Sequence, residues 1–316
     1  MAGSSGALRT WLEARGGSIS PHIEARRDET DGTGLYCRAH IASGTDLMVV
    51  PYQCMVTRNS LTKLALGDES IERLVYFEDD GFEPEVSDDF CLTVALLLAQ
   101  NQSEWQAYWH TLPSLEEVAV SLPVTIKWES LNQTELSQVR DRIARACQQA
   151  LGDRNLAQKL EEACREDRAL VVEEYEKAIQ LKAMHNVVLQ DFVHARSLVT
   201  SRSFHVQMGQ GERTDNSFGV WAKSFAAMIP FADMMNHGDD GTCGQPRSPG
   251  LQWRYNDAGG ALVVYSIRNL QVGEQLLINY SATHSGTHPL EQRPQFYFFV
   301  HYGFFETAAS AAHARL

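Results

Sequence analysis

Two short segments from opposite ends of the chain share one sequence pattern, and this repeat constrains the fold more than any other feature. "IASGTDLMVV" (41–50) and "LQVGEQLLIN" (270–279) each have an aliphatic residue, two further residues, a glycine, two more residues, and then Leu with an apolar strand. Gly44 and Gly273 are predicted to take the positive φ of a tight hairpin turn. Matching hairpins so far apart predict one β domain that is closed by both ends of the chain.

Between the two hairpins, the pattern of apolar residues changes from strand-like to helical and back. Residues 20 to 57 are typical of β structure, residues 88 to 208 of helices, and residues 218 to 305 of β structure again. Ser87 precedes an acidic turn and is a predicted helix N-cap. Apolar residues recur every three or four positions in two sets: Leu136, Val139, Ile143, Ala146 and Ala150, then Leu156, Leu160, Ala163, Leu170 and Val171. Because βαβ alternation is absent, the sequence predicts an α+β fold with a helical insert.

The composition excludes several classes of protein. A formal net charge of -13 over 316 residues argues against a broad basic face for nucleic acid. No apolar run approaches the roughly 18 to 20 residues that cross a bilayer, so no membrane partner is predicted. The N-terminus lacks an apolar signal region, and we predict a cytoplasmic or nuclear protein, with organellar targeting as the weaker alternative. The six cysteines lack zinc-finger spacing, which predicts reduced thiols and no structural zinc.

The stretch "FADMMNHGDDG" (231–241) places polar residues directly after an apolar segment. Asp233 and His237 are four positions apart, so one helical turn could present both to a metal ion. No third ligand is evident, although His284 and His288 are also four apart. The other interpretations are a capped turn, in which Asp and Asn bond nearby backbone, and a small-molecule site. Taken alone, the stretch favours the capped turn, and no metal site is predicted.

Aromatic residues dominate the last part of the chain. Tyr280 ends "EQLLINY", which with "ALVVYSI" is the clearest predicted strand, and strands often end in an aromatic packed on the core. Beyond a polar loop, "FYFFVHYGFF" (296–305) is either core or the wall of a ligand site. "DGTGLY" (31–36) leads into a strand, so it does not fit the dinucleotide or phosphate-loop templates.

The order of these motifs resembles a known family. The GxG strand with its hairpin, the helical insert, "SRSF", "DMMNH", "GEQLLINY" and "YGF" resemble the SET-domain methyltransferases, above all the branch typified by the Rubisco large-subunit lysine methyltransferase. "SEWQAYWHTLP" (103–113) resembles the helical-insert signature of that branch. The resemblance implies a SET fold of short β-sheets with a C-terminal pseudoknot, divided as 1–87, an insert at 88–198, and 199–316.

The resemblance also implies a cofactor, S-adenosylmethionine, and a set of site residues. Arg202 matches the partner of the cofactor's carboxylate, and Asn236 and His237 match contacts to its amino group and adenine. The full cofactor-binding set is Asp31, Gly32, Thr33, Arg202, Asn236, His237, Tyr280 and Phe304. The residues matching catalytic positions are Tyr280 and Tyr302. The residues matching the substrate channel are Ser201, Phe204, Asp233, Ile278 and either Tyr255 or Trp253.

By this resemblance, the chain is expected to be a protein-lysine N-methyltransferase with a non-histone protein as its partner. A histidine methyltransferase of the same fold, a silent SET interaction module and a metal hydrolase are the alternatives. The helical substrate-binding domain usual after "YGF" is not expected, so the insert or surface loops would recognise the substrate. The loop 281–295 is hypothesised to cover the channel. The acidic stretch "EDDGFEPEVSDD" (78–89) is either a solvated loop or attracts a basic peptide.

Overall fold

The computed structural model describes eight segments of the chain: 2–28, 32–64, 68–71, 86–119, 121–208, 224–238, 249–280 and 294–304. They fall into two compact units. The first unit comprises Met1–Leu112 and Arg202–His284, and the second comprises Pro113–Ser201 and Ser285–Leu316. The sequence division at 87/88 and 198/199 stays a prediction. Asp31, His284, His288 and most of the acidic stretch lie outside the described residues.

All the described strands belong to the first unit. They are β1 (Ser18–Ile19), β2 (Ile23–Asp28), β3 (Gly32–Cys37), β4 (Asp46–Pro51), β5 (Val56–Thr57), β6 (Ser203–Gln207), β7 (Ser224–Met228), β8 (Asn236–His237), β9 (Leu251–Asn256), β10 (Ala261–Ser266) and β11 (Leu277–Ile278). Their pairing orders are β1-β4-β10-β9, β5-β7-β6, β2-β3 and β8-β11. Early strands pair with late ones, β4 with β10 and β5 with β7. This confirms a β domain that is built from both ends of the chain.

Helices pack around the sheets of the first unit. They are α1 (Ala2–Glu13), α2 (Ser60–Leu64), α3 (Asp88–Gln100) and α4 (Gln106–Trp109). The predicted N-cap is confirmed, because the Ser87 side chain accepts a hydrogen bond from the backbone N–H of Phe90 at 3.0 Å. Nearly every residue of α3 from Phe90 onward is buried, so this helix is the centre of the unit's core. None of the described helices is long and apolar enough to span a membrane.

The second unit is helical. Its helices are α5 (Leu115–Ala119), α6 (Gln133–Leu151), α7 (Ala157–Ala178), α8 (Leu189–Arg202, whose last residue belongs to the first unit) and α9 (Pro294–Tyr302). Its core contains Trp128, Ile143, Ala146, Cys147, Leu160, Ala163, Cys164, Phe296, Phe299 and Val300. The stripe predicted for α6 is confirmed. In α7, Leu170 is 54% exposed, and the prediction of burial was wrong because Val171, one position on, occupies the buried face.

Three secondary-structure assignments predicted from apolar patterns were wrong. The helical zone ends in a strand, β6, and "EQLLINY" contributes only Leu277–Ile278 to a sheet. The aromatic run predicted as β structure forms α9, with Phe296 and Phe299 in the core of the second unit. A short run that is apolar on every side has no period that separates a buried strand from a buried helix.

Gly44 and Gly273 take the predicted positive φ, but the predicted hairpins were wrong, because the strands on either side of each turn do not pair with each other. β3 pairs with β2 and not with β4, and β10 pairs with β4 and β9 and not with β11. The two turns contact each other instead. Gly44 has φ +81° and Gly273 has φ +78°. The first aliphatic residues of the two repeats, Ile41 and Leu270, exchange backbone hydrogen bonds at 3.1 and 2.9 Å. The sequence repeat therefore corresponds to a paired structural unit that ties the early part of the chain to the late part.

We expect Gly273→Ala to lower the free energy of unfolding by about 1 to 2 kcal/mol, because a Cβ is unfavourable at positive φ. An added Cβ would meet nothing within 4 Å, so the effect comes from the backbone alone. The matched control is Gly6→Ala, which also adds a Cβ in open space but in the helix α1, where Ala is favoured. Urea unfolding of both variants measures the difference; equal stabilities would contradict the prediction.

Candidate active site

A two-residue parallel strand pair brings together the two motifs at the centre of the site. Asn236 of β8 lies opposite Leu277 of β11, and His237 lies opposite Ile278. The backbone N–H of Gly238 donates to the carbonyl of Ile278 at 2.9 Å and extends this ladder. "DMMNH" is thereby held beside the segment that leads to Tyr280.

Tyr280 is held by two contacts with the "DMMNH" segment. Its backbone N–H donates to Nδ1 of His237 at 3.1 Å, and the two rings are 5.2 Å apart. Its hydroxyl donates to the carbonyl of Met235 at 2.9 Å. Burial raises the pKa of Tyr280 to about 12, so the phenol is neutral near pH 7. Because Nδ1 of His237 accepts the hydrogen bond from the backbone N–H of Tyr280, the tautomer that fits this contact has its proton on Nε2.

Asp233 is a buried carboxylate with a partner in a helix. It lies in the 3-10 turn Ala232–Met234 and is 6% exposed. The hydroxyl of Tyr108, which is fully buried, donates to Oδ2 of Asp233 at 2.8 Å. Oδ1 is buried and makes no hydrogen bond of normal geometry with a described residue. Burial raises the pKa of Asp233 from 3.8 to about 6, whereas Arg202, the Tyr108 hydrogen bond and nearby backbone N–H groups lower it.

The helical turn considered for metal binding is not formed. The 3-10 turn ends at Met234, and His237 belongs to β8, so Asp233 and His237 do not share one helical face. In the described segments, His, Cys, Asp and Glu side chains form no group of three or more that could hold a metal ion.

The backbone just before Asp233 is strained. Phe231 has φ +73°, the only positive value at a non-glycine residue in the described part of the chain, and its side chain is buried. The guanidinium of Arg9 lies 5.9 Å from the centre of its ring. Such a conformation persists where the surrounding structure holds it, and it is common at functional sites.

Arg202 approaches the same turn from the end of α8. Its Nη1 donates to the backbone carbonyl of Asp233 at 2.7 Å, and the side chain is partly buried. A guanidinium has five N–H donors, so others are available for a carboxylate ligand with bidentate geometry.

Gly34, in the strand β3, borders the site. A Cβ on Gly34 would lie 2.7 Å from Nε2 of Gln275 and 2.9 Å from Nδ2 of Asn236, closer than real Cβ atoms approach. Nδ2 of Asn236 also lies 3.5 Å from the carbonyl of Thr33, whose neighbour Gly32 begins β3. The segment predicted to lie along a cofactor is thus beside Asn236, and Gly34 is its position of closest approach.

The aromatic residues predicted for the channel lie on two sheets that contact each other through their rings. Phe204 of β6 packs edge-on against Trp253 at 5.4 Å, and Phe225 of β7 packs against Tyr255 at 5.5 Å. Trp253, the alternative to Tyr255, is therefore the neighbour of Phe204. Ser201 lies in the last turn of α8, where its hydroxyl donates to the carbonyl of Ser197.

Three predicted site residues belong to the second unit: Ser201, Tyr302 and Phe304. The rings of Tyr302 and Phe304 are 6.0 Å apart, and Phe298 lies 5.5 Å from Tyr302 and 5.6 Å from Phe304. Their roles stay predictions.

Four residues of the site were missed by the sequence interpretation: Tyr108, Phe231, Gly34 and Gln275. Two of them lie in sequence motifs that could have identified them: Tyr108 in "SEWQAYWHTLP", and Gly34 as the second glycine of the GxG pattern. The unusual φ of Phe231 and the close approach of Gln275 have no counterpart in a local pattern.

Comparison with known proteins identifies the family. The profile of the SET domain family matches residues 32–281, so the chain belongs to that family. A search of curated proteins finds no match. The predicted SET fold, of the α+β class, is confirmed.

The chain is similar to solved structures of the predicted branch. The SET domain of LSMT bound to lysine and AdoHcy is 17% identical with a TM-score of 0.63, covering 97% of this chain and 58% of that chain. Rubisco LSMT bound to AdoMet is 17% identical with a TM-score of 0.61, covering 96% and 57%. Rubisco LSMT bound to sinefungin and monomethyllysine is 18% identical with a TM-score of 0.60, covering 98% and 57%. The chain thus spans less than three-fifths of the length of these proteins.

We expect Asp233→Asn to become relatively more stabilising as the pH rises from about 4 to about 7. The pKa of Asp233 is higher in the folded protein, at about 6, than its ordinary value of 3.8, so the wild type loses stability as the carboxyl ionises over this range. The asparagine keeps an oxygen for Tyr108 and has no charge. Urea unfolding should show the stability difference between variant and wild type growing by up to about 3 kcal/mol. A difference that is constant with pH would contradict the prediction.

Proposed function

We propose that this chain is an S-adenosylmethionine-dependent protein-lysine N-methyltransferase that acts on a non-histone protein. The observation that carries the proposal is the joint position of Tyr280, His237 and Arg202 around the turn at Asp233, within a SET fold. Similar structures bound to lysine, to monomethyllysine and to AdoMet or AdoHcy support the same chemistry.

The residues present fit such a cofactor. The amide nitrogen of Gln275 is buried, makes no hydrogen bond with a described residue, and lies beside Gly34, where the lack of a side chain makes room for it. Arg202 would hold the carboxylate of the cofactor, and Asn236 and His237 would bind its amino group and adenine. S-adenosylmethionine would supply an activated methyl group carried on a positively charged sulfur. Asp31, Gly32, Thr33 and Phe304 complete the proposed cofactor-binding set.

Tyr280 would orient the reacting groups without acting as a base. Its phenol is neutral because burial raises its pKa to about 12. Its proton is engaged with the carbonyl of Met235, which leaves the oxygen lone pairs available to polarised C–H or N–H groups. A neutral phenol oxygen stabilises a cationic centre by its dipole, and the gain in rate comes largely from alignment.

The target lysine must lose its proton before methylation. Burial in a narrow channel, and a positive charge nearby, lower the pKa of an amine. We propose that the channel is lined by Ser201, Phe204, Asp233, Ile278 and an aromatic residue of β9, Trp253 or Tyr255, with Tyr302 near the methyl group. The aromatic faces favour a cation and exclude water.

Identifying the methylated residue tests the proposal. The protein is incubated with labelled S-adenosylmethionine and a cell lysate, and the labelled site is located by mass spectrometry. Methyl-lysine on a non-histone protein is the expected result. Methyl-histidine would favour the histidine alternative, and absence of cofactor binding in calorimetry would favour a silent interaction module. The cellular compartment of the methylated protein would test the expected cytoplasmic or nuclear location of the enzyme.

In this assay, Tyr280→Phe should lower turnover by about 100-fold or more, within the range for a positioned catalytic hydroxyl. Cofactor affinity should persist, because phenylalanine retains the ring beside His237. Tyr265→Phe is the matched control, since it removes a hydroxyl that donates to Gln252 at the exposed side of the sheet. Undiminished turnover in Tyr280→Phe would contradict the proposal that the Tyr280 hydroxyl orients the reacting groups.

Gly34→Ala should weaken cofactor binding with little loss of stability. The added Cβ would displace the side-chain ends of Gln275 and Asn236, which can move at small cost to the fold. We expect the dissociation constant for S-adenosylmethionine to rise about tenfold, equivalent to about 1.4 kcal/mol. Calorimetry measures this, with Gly6→Ala as a control whose Cβ meets nothing within 4 Å. Equal affinity in both variants would mean that the site does not border Gly34.

A further inference from the structure

The hydrogen bond between Tyr108 and Asp233 links two distant parts of the first unit. The residues are 125 positions apart, and the donor is in the short helix α4, within the signature "SEWQAYWHTLP". Both side chains are buried. A neutral phenol is the sole side-chain donor to this carboxylate among the described residues, so Tyr108 controls which way one of its oxygens faces.

The segment that carries Tyr108 is itself held in place from the N-terminal helix. The indole N–H of Trp11 in α1 donates to the carbonyl of Glu104 at 2.6 Å. The rings of Trp11 and Trp105 are 5.5 Å apart, and both are buried. The turn Ser103–Trp105 leads directly into α4, so the hydroxyl of Tyr108 is presented from a braced position.

Few ionisable groups face the carboxyl of Asp233. Arg202 at the end of α8 attracts its negative charge. Burial raises the pKa values of Tyr108 and Tyr280, and the charge of Asp233 adds to both rises. β3 also packs against the turn, and its one titratable group besides Tyr36 is Cys37, whose pKa burial raises to about 11. The next ionisable groups in the surroundings are His237, beside Tyr280, and Arg9, near Phe231.

We propose that Tyr108 is a positioning residue of the methyl-transfer site, which holds Asp233 as a fixed, ionised carboxylate whose charge favours the cationic sulfur of the cofactor beside Tyr280. The proposal rests on the proposed function. An unanchored carboxyl at this depth would take up a proton more readily, because burial disfavours its charge and the Tyr108 hydrogen bond opposes that effect. The helix α4, which carries Tyr108, would then contribute to the choice of cofactor as well as to the fold.

Calorimetry with two ligands tests the electrostatic part. S-adenosylmethionine carries a positive sulfur and S-adenosylhomocysteine a neutral one, so the ratio of their affinities isolates the charge. At pH 6.5 we expect Asp233→Asn to reduce the preference for S-adenosylmethionine by about fivefold or more. Tyr108→Phe should reduce it by about two- to threefold, because a midpoint one unit higher leaves about a quarter of the aspartate ionised in place of about three quarters. At pH 8.5 the preference should recover in Tyr108→Phe, whose aspartate is ionised again, and stay low in Asp233→Asn. Tyr265→Phe, which loses a remote hydroxyl, should match the wild type at both values.

A carbon-13 titration of the Asp233 carboxyl, assigned with Asp233→Asn, tests the positioning part without any ligand. In Tyr108→Phe the midpoint should rise by about one pH unit relative to the wild type. If neither ligand binds the wild type, the proposed function fails, and this titration still decides whether Tyr108 holds the carboxylate. An unchanged midpoint, or a ligand ratio equal to that of the wild type in both site variants, would overturn the inference. Should Tyr108→Phe not fold, Asp233→Asn, which keeps the hydrogen-bond acceptor, still tests the charge.

Discussion

The parallel pairing of β8 with β11 is the contact on which the rest of the site depends. Only two residues on each side take part, Asn236 and His237 with Leu277 and Ile278. A slip of one residue would reverse which side chains face inward and would separate Nδ1 of His237 from the backbone of Tyr280. The segment that leads into β11 is in turn held by the backbone hydrogen bonds between Leu270 and Ile41, the first residues of the two repeats. The site is therefore fixed by main-chain bonds between distant segments.

The site also retains features that are unfavourable for stability. Asp233 is ionisable and buried, and the preceding Phe231 has a backbone conformation that favours glycine. Contacts hold the residue with the buried charge in place: Tyr108 bonds the side chain of Asp233, and Arg202 bonds its carbonyl. A carboxylate that is costly to bury yet retained near the neutral phenol of Tyr280 is an arrangement typical of functional sites.

The fold was predictable where a local pattern has one interpretation. The positive φ of Gly44 and Gly273, the N-cap at Ser87 and the buried stripe of α6 follow from characteristic residues or a clear period, and the structure has all of them. The hairpins predicted around these glycines are absent, because strand pairing depends on distant segments. The aromatic run of α9 is apolar on every side, so its pattern did not separate helix from strand. Leu170 was wrongly predicted to be buried, because it adjoins Val171 in the sequence and only Val171 lies on the buried face of the helix.

By itself, the sequence determined the class of fold and the order of the motifs, because glycine turns and helix faces depend on residues close in the chain. It also indicated Arg202, Asn236, His237 and Tyr280, through a resemblance in motif order. Only the tertiary structure decided what these residues contact. The partner of Asp233 lies 125 positions away, and the closeness of Gly34 to Gln275 exists only after two distant strands meet. Such contacts depend on packing and strand register across the whole unit, which no local pattern encodes.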